Sequence, residues 1–108
     1  MKKPKKHTKE SYSYSECRKY LEKKYGYDER NYANTKYDGT PDDAPYQDFW
    51  HFVCDFANPN NGSYFTMDNF WLDKKYGAKE EWQRTIIEYY LSEFGEGKNR
   101  EIEFYVWW

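Results

Sequence analysis

The sequence is poor in aliphatic residues. Leu, Ile and Val number only 8, and with the 7 Phe they make 15 of the 108 residues; the mean hydropathy is −1.31. A charged chain with so few large apolar residues is usually disordered. No apolar run is long enough to span a membrane. The two cysteines, Cys17 and Cys54, are expected to be buried thiols rather than a disulfide.

Sequence motifs for several chemistries are also missing. Neither GxGxxG nor GxxxxGK[ST] occurs, which argues against nucleotide chemistry. The first ten residues lack the apolar stretch of a secretory signal. We therefore predict a cytoplasmic protein that is not an enzyme and carries no cofactor.

Aromatic residues are what the sequence has in abundance. It contains 13 Tyr, 7 Phe and 5 Trp, and each such side chain can bury about 200 Å². Tyr and Trp count as polar on hydropathy scales, although their rings leave water on folding. The chain is therefore expected to fold around an aromatic core.

Charge is distributed unevenly along the chain. Residues 1–36 contain eleven Lys and Arg against five Asp and Glu, whereas residues 37–108 contain six against fourteen. Residues 1–12 show no apolar periodicity, and we predict a flexible basic arm there, followed by a single domain over 13–108. Five lysines of the arm could bind phosphates: Lys2, Lys3, Lys5, Lys6 and Lys9.

The periodicity of the domain indicates three helices and two strands. A capping box at Ser13–Glu16 and a closing Gly26 predict a helix over 14–25. Further helices are predicted over 46–57 and 78–94. Strands are predicted over 63–67 and 101–107, paired antiparallel. The fold class is α+β, with about three helices on a short antiparallel sheet. A third strand would come from residues 68–76, whose Phe70 must pack somewhere, or from a second copy of the chain.

The last strand alternates between two faces. Ile102, Phe104, Val106 and Trp108 would face the core, which leaves four residues on the other side: Glu101, Glu103, Tyr105 and Trp107. Exposed aromatic residues of this kind anchor protein interfaces. With Asp42 and Asp43 of an acidic loop, these four residues are the predicted protein-binding residues. Alternatively, a helix or the N-terminal segment covers this face.

Asp48, His51 and Asp55 follow one another at helical spacing and could face a metal ion. Three ligands on one helix without further support are a weak signal. We therefore prefer a half-buried histidine beside two exposed carboxylates, and a metal-dependent activity is only a third hypothesis.

From Tyr46 onward the chain contains a D-F-W-H helix, an N-G-S-Y-F strand and an E-W-Q helix ending in E-F-G. In these features it resembles small uncharacterised proteins of bacteriophages and integrated elements. This resemblance implies a bacterial cytoplasm as the setting, in which compact acidic proteins resemble inhibitors of host defence such as anti-CRISPR proteins.

The sequence suggests two alternative functions. The first is a non-enzymatic inhibitor or adaptor that binds a host protein or ribonucleoprotein complex through acidic and aromatic surfaces. The alternative is a nucleic-acid-binding module that uses the basic arm and its neighbouring tyrosines. A homodimer is also possible.

Overall fold

The computed structural model describes residues 2–29 and 49–107. In this part of the chain the order of elements is β1 (Tyr12–Ser13), α1 (Tyr14–Tyr25), α2 (Phe49–Ala57), β2 (Tyr64–Met67), a 3₁₀ helix (Asn69–Leu72), α3 (Glu81–Phe94) and β3 (Ile102–Tyr105). The fold class is therefore α+β, as predicted. No helix within these described ranges is long and apolar enough to cross a membrane.

Helix α1 has the predicted limits, because local capping sets both of its ends. The Ser13 hydroxyl accepts a hydrogen bond from the Glu16 amide. Gly26 adopts the left-handed conformation, with φ of 72°, and its amide donates to the carbonyl of Glu22. These contacts satisfy backbone groups that a helix end leaves without an intrahelical partner.

Helix α3 differs from its predicted limits, and α2 can be compared with its prediction only at its end. Helix α3 begins at Glu81 rather than residue 78, because the backbone of Glu80 is extended, with φ of −88° and ψ of 141°, and Glu80 is the N-cap residue. Its start is a capping box between Glu80 and Gln83. Helix α2 ends at Ala57 as predicted, and its predicted first turn, residues 46–48, lies outside the described residues.

The sheet has the strand order β1-β3-β2. Strands β2 and β3 are antiparallel as predicted, with Phe65 opposite Phe104. The predicted source of the third strand was wrong, because β1 supplies it and runs parallel to β3, with Tyr12 opposite Phe104. The sheet is therefore mixed rather than antiparallel, and Tyr12, assigned to the arm, belongs to the sheet. The flexibility of the preceding residues stays a prediction.

An aromatic core joins the sheet to the helices. The buried ring of Tyr14 has four aromatic rings within 6 Å between centroids: Trp50, Phe65, Tyr90 and Phe104. Such ring pairs contribute about 0.5–1.5 kcal/mol each beyond their area burial. Buried tyrosine and phenylalanine rings thus supply apolar contacts in the core of a chain that has few aliphatic residues. Cys17 and Cys54 form no disulfide, and of the two thiols expected to be buried, Cys17 is buried whereas Cys54 is half-buried.

Candidate protein-binding surface

The side of the sheet that faces away from the helices forms the candidate surface. Ile102, Phe104 and Val106 are buried on the inner side of β3 and its extension. The outer face consists of six residues from the two antiparallel strands and their ends: Tyr64, Thr66, Glu101, Glu103, Tyr105 and Trp107. Alternation along the strand thus separates the core residues from this face.

The aromatic side chains of the outer face are exposed to different extents, and the side chain after the end of β3 is the most exposed. Tyr105 is half-buried, Tyr64 is 50% exposed and Trp107 is 69% exposed. The rings of Tyr64 and Tyr105 are cross-strand neighbours with centroids 5.3 Å apart. Because the strands carry both rings directly, their positions depend on the sheet rather than on a loop.

The backbone around Gly62 fixes the position of Trp107 just beyond the end of β3. The Gly62 amide donates to the Val106 carbonyl at 2.7 Å, and the Val106 amide donates to the Ser63 carbonyl at 2.9 Å. Gly62 has φ of 78°, and a Cβ atom added there would lie 3.5 Å from the Trp107 ring. The indole therefore lies against a backbone turn that requires glycine for its conformation rather than for space.

Two glutamates complete the outer face. Glu103 lies opposite Thr66 and is half-buried, and Glu101 is exposed at the start of the strand. The predicted residues Glu101, Glu103, Tyr105 and Trp107 therefore do lie on one side of the sheet. The other two predicted residues, Asp42 and Asp43, are outside the described residues.

The N-terminal segment covers part of this face. The His7 ring stacks on the Tyr105 ring, with centroids 5.2 Å apart and planes 10° from parallel. Lys6 forms an ion pair with Glu96 at 3.2 Å, and Lys3 lies 5.2 Å from the centroid of the Phe94 ring. The segment thus contacts the Tyr105 region, while Trp107 stays exposed.

The lysines proposed for nucleic-acid binding lie in the same segment. Lys2, Lys5 and Lys9 are exposed. Four of the five line an open concavity together with Pro4, His7 and Glu16: Lys2, Lys3, Lys5 and Lys6. A basic concavity is suited to an anion, although Lys3 and Lys6 already lie near the carboxylates of Glu93 and Glu96.

The metal hypothesis gains no support from the described geometry. His51 and Asp55 are exposed on helix α2, so the prediction of a half-buried histidine was wrong, and Asp48 is outside the described residues. In residues 2–29 and 49–107, no group of three or more His, Cys, Asp or Glu side chains is placed to hold a metal ion.

A second exposed aromatic pair was not predicted. Phe70 was expected to pack, yet it is 54% exposed, and Tyr76 is 62% exposed beside it. Within the 3₁₀ helix Trp71 is buried in the core, where its Nε1 donates to the Thr66 carbonyl, and Leu72 is partly buried against the core. Three apolar residues in a row, Phe70-Trp71-Leu72, show no periodic pattern, so the sequence does not indicate which of them is buried and which is exposed.

A buried glutamate was also missed. Glu29 is fully buried, and it accepts hydrogen bonds from the hydroxyls of Tyr14, Tyr27 and Tyr90. Nothing in the sequence around Glu29 distinguishes it from a surface residue, because Tyr90 is 61 positions away.

Comparison with known proteins adds no relative to this description. No protein-family model matches the chain, and neither a curated protein nor a solved structure matches it. The resemblance to phage proteins therefore stays a prediction, and function has to be argued from the surfaces themselves.

Proposed function

We propose that this protein binds another protein through its outer face and acts as a non-enzymatic inhibitor or adaptor. The observation that carries the proposal is the exposed Trp107 beside Tyr64 and Tyr105 on one side of the sheet. Tryptophan and tyrosine are enriched among the residues that dominate binding energy at interfaces. A folded sheet presents them with little ordering cost on association.

The charge of the outer face suggests the chemistry of the partner. Glu101 and Glu103 add two carboxylates beside the exposed rings, and a basic partner surface would complement them. Such complementarity mainly increases the association rate and selects among partners. We therefore expect a partner with lysine or arginine around an apolar centre.

The N-terminal segment contacts one part of the outer face. It places the His7 ring on Tyr105, whereas Lys3 and Lys6 lie near Glu93 and Glu96, which are outside the outer face. A partner that covers Tyr105 would have to displace His7. A partner centred on Trp107 would leave it in place.

The biological setting comes from the resemblance alone. If the protein belongs with phage and mobile-element proteins, a bacterial defence protein or ribonucleoprotein is the partner class, and the activity is anti-defence. Ribonucleoproteins carry the basic surfaces that bind nucleic acid, and an acidic protein can occupy them.

Affinity capture with matched variants tests the proposal. Wild-type protein, Trp107→Ala and Tyr76→Ala would each be used to capture proteins from a bacterial host lysate. Tyr76 is a suitable control because it is similarly exposed but lies outside the outer face. We expect a protein retained by the wild type and by Tyr76→Ala, but not by Trp107→Ala. Equal capture by all three would exclude this face.

A second copy of the chain is an alternative occupant of the outer face. Sedimentation of the purified wild type across a range of concentrations distinguishes the two cases. A dimer that Trp107→Ala dissociates would identify the partner as the chain itself.

Nucleic-acid binding is the second candidate, and the basic concavity of the N-terminal segment favours it. Binding to an unstructured oligonucleotide would be measured as salt is raised. A steep fall in affinity with salt, weakened by charge reversal at Lys2 and Lys5, would support it. No binding at low ionic strength would exclude it.

A further inference from the structure

Glu29 lies in an unusual position for a carboxyl group. It is the only acidic or basic residue among the described ones that is fully buried, with 0% of its surface exposed. Ionised groups are rarely buried in this way unless other groups compensate for the lost water. Its surroundings therefore decide whether it is charged.

Three phenol groups converge on this carboxyl group. Tyr14 of α1 donates to Oε1 at 2.7 Å, and Tyr27 donates to Oε2 at 3.1 Å. Tyr90 of α3 also donates to Oε2. Burial raises the pKa of all three tyrosines, so each keeps its proton and remains a donor.

The backbone of Glu29 connects two helices as well. Its amide donates to Oε2 of Glu22 in α1 at 2.9 Å. Its carbonyl accepts from the amide of Phe49, the first residue of α2, at 2.9 Å. Side chain and backbone together make Glu29 the joint at which α1, α2 and α3 meet.

Among the residues that the structure describes, the groups facing Glu29 supply no positive charge. They are the three phenols, the Glu22 carboxylate from α1, and a backbone amide from α2. Burial raises the pKa of Glu29 most strongly, the hydrogen bonds of Tyr90 and Tyr14 lower it, Glu22 raises it, and Tyr27 lowers it. The net result is a pKa of about 7, against 4.5 for an ordinary glutamate.

We propose that Glu29 is the proton-binding group of a pH-sensitive joint between α1, α2 and α3, closed when Glu29 is protonated and loosened when it ionises. Water delivers and removes the proton during brief openings. In the protonated state the carboxyl O–H donates to one phenol oxygen, whose own proton turns to another acceptor, and the other carboxyl oxygen still accepts. In the ionised state both oxygens only accept, and the charge has no cation among the groups just described.

The direction of the effect follows from linkage. Because the pKa of Glu29 is higher in the folded than in the unfolded chain, the folded chain binds this proton more tightly. The resulting stabilisation is fully present below pH 4.5, is lost as the pH rises to about 7, and changes little above that. If opening exposes Glu29 to water, the opening constant rises roughly 100-fold between pH 5 and pH 8.

Hydrogen exchange of the intact protein tests the proposal. Exchange of peptides from α1, α2 and α3 would be followed by mass spectrometry between pH 5 and pH 8, corrected for the intrinsic rate at each pH. We expect the roughly 100-fold rise in the wild type and a flat profile in Glu29→Gln, which is neutral at every pH. A carbon-13 titration of the Glu29 carboxyl carbon should give a midpoint near 7.

Glu93→Gln is the matched control. Glu93 also contacts tyrosine, at 2.7 Å from the Tyr25 hydroxyl, but it lies near the surface and pairs with Lys24 at 2.6 Å. This variant should keep the wild-type rise. If Glu29→Gln fails to fold, Tyr90→Phe keeps the carboxyl group, removes one donor and should move the midpoint upward. A midpoint below about pH 5, or a rise that persists in Glu29→Gln, would overturn the proposal.

Discussion

Two regions of this protein combine glutamate with aromatic rings, and they do so in opposite ways. In the interior, three tyrosine hydroxyls donate hydrogen bonds to the buried carboxyl group of Glu29. On the outer face, Glu101 and Trp107 remain exposed. The same residue types therefore hold the fold together in one place and stay available to a partner in the other. Burial, rather than composition, makes the difference.

The largest expected contrast is in stability. Tyr90→Ala removes a fully buried ring and a donor to Glu29, and should cost about 3–5 kcal/mol of unfolding free energy. Tyr105→Ala removes a half-buried ring that contacts His7 and Tyr64, and should cost about 1 kcal/mol. Urea denaturation of both variants measures the difference. Equal losses would mean that the outer face is part of the core.

Reversing the charge of the two outer-face glutamates should change binding but not stability. The double substitution Glu101→Lys and Glu103→Lys should leave unfolding within about 1 kcal/mol of the wild type, because these residues lie outside the core. Association with a basic partner should slow by about tenfold or more at low salt, and the difference should shrink as salt is added. Stopped-flow mixing measures the rate. An unchanged rate would remove these glutamates from the interface.

The smallest expected effect concerns Glu93. Burial acts to raise the pKa of Glu93, but hydrogen bonds from Lys24 and Tyr25 bring it below its usual value. The stabilisation that Glu93 gives the folded state is therefore present above pH 4.5 and is lost as the pH falls. The stabilisation given by Glu29 is lost as the pH rises, so the two residues have opposite pH dependences. Glu93→Gln should cost under about 1 kcal/mol at pH 7, because near-surface pairs are screened. Denaturation at pH 7 and pH 3 checks this, and a larger loss at pH 3 would contradict it.

Local signals in the sequence predicted much of this fold. Ser13 and Gly26 mark the ends of α1, and the alternation after Arg100 identifies both faces of β3. The four outer-face residues of that strand were predicted for the same reason. A period-two pattern assigns each side chain to a face before its neighbours are known.

The remaining features depend on contacts that are distant in sequence. Strand β1 has only two residues, too few to show a period, and it pairs with residues about 90 positions away. The tyrosines that donate hydrogen bonds to Glu29 come from α1, from the segment after it and from α3. No window of the sequence contains them all. The stacking of His7 on Tyr105 is hidden for the same reason.

Some aromatic rings of this protein pack in its core, and others are proposed to bind a partner. The most direct test of this division measures both properties in one variant, Tyr105→Ala combined with Trp107→Ala, using urea denaturation and titration against the captured partner. We predict an unfolding free energy within about 2 kcal/mol of the wild type and an affinity weakened at least about 30-fold. A variant that unfolds readily, or that binds with wild-type affinity, would contradict the account.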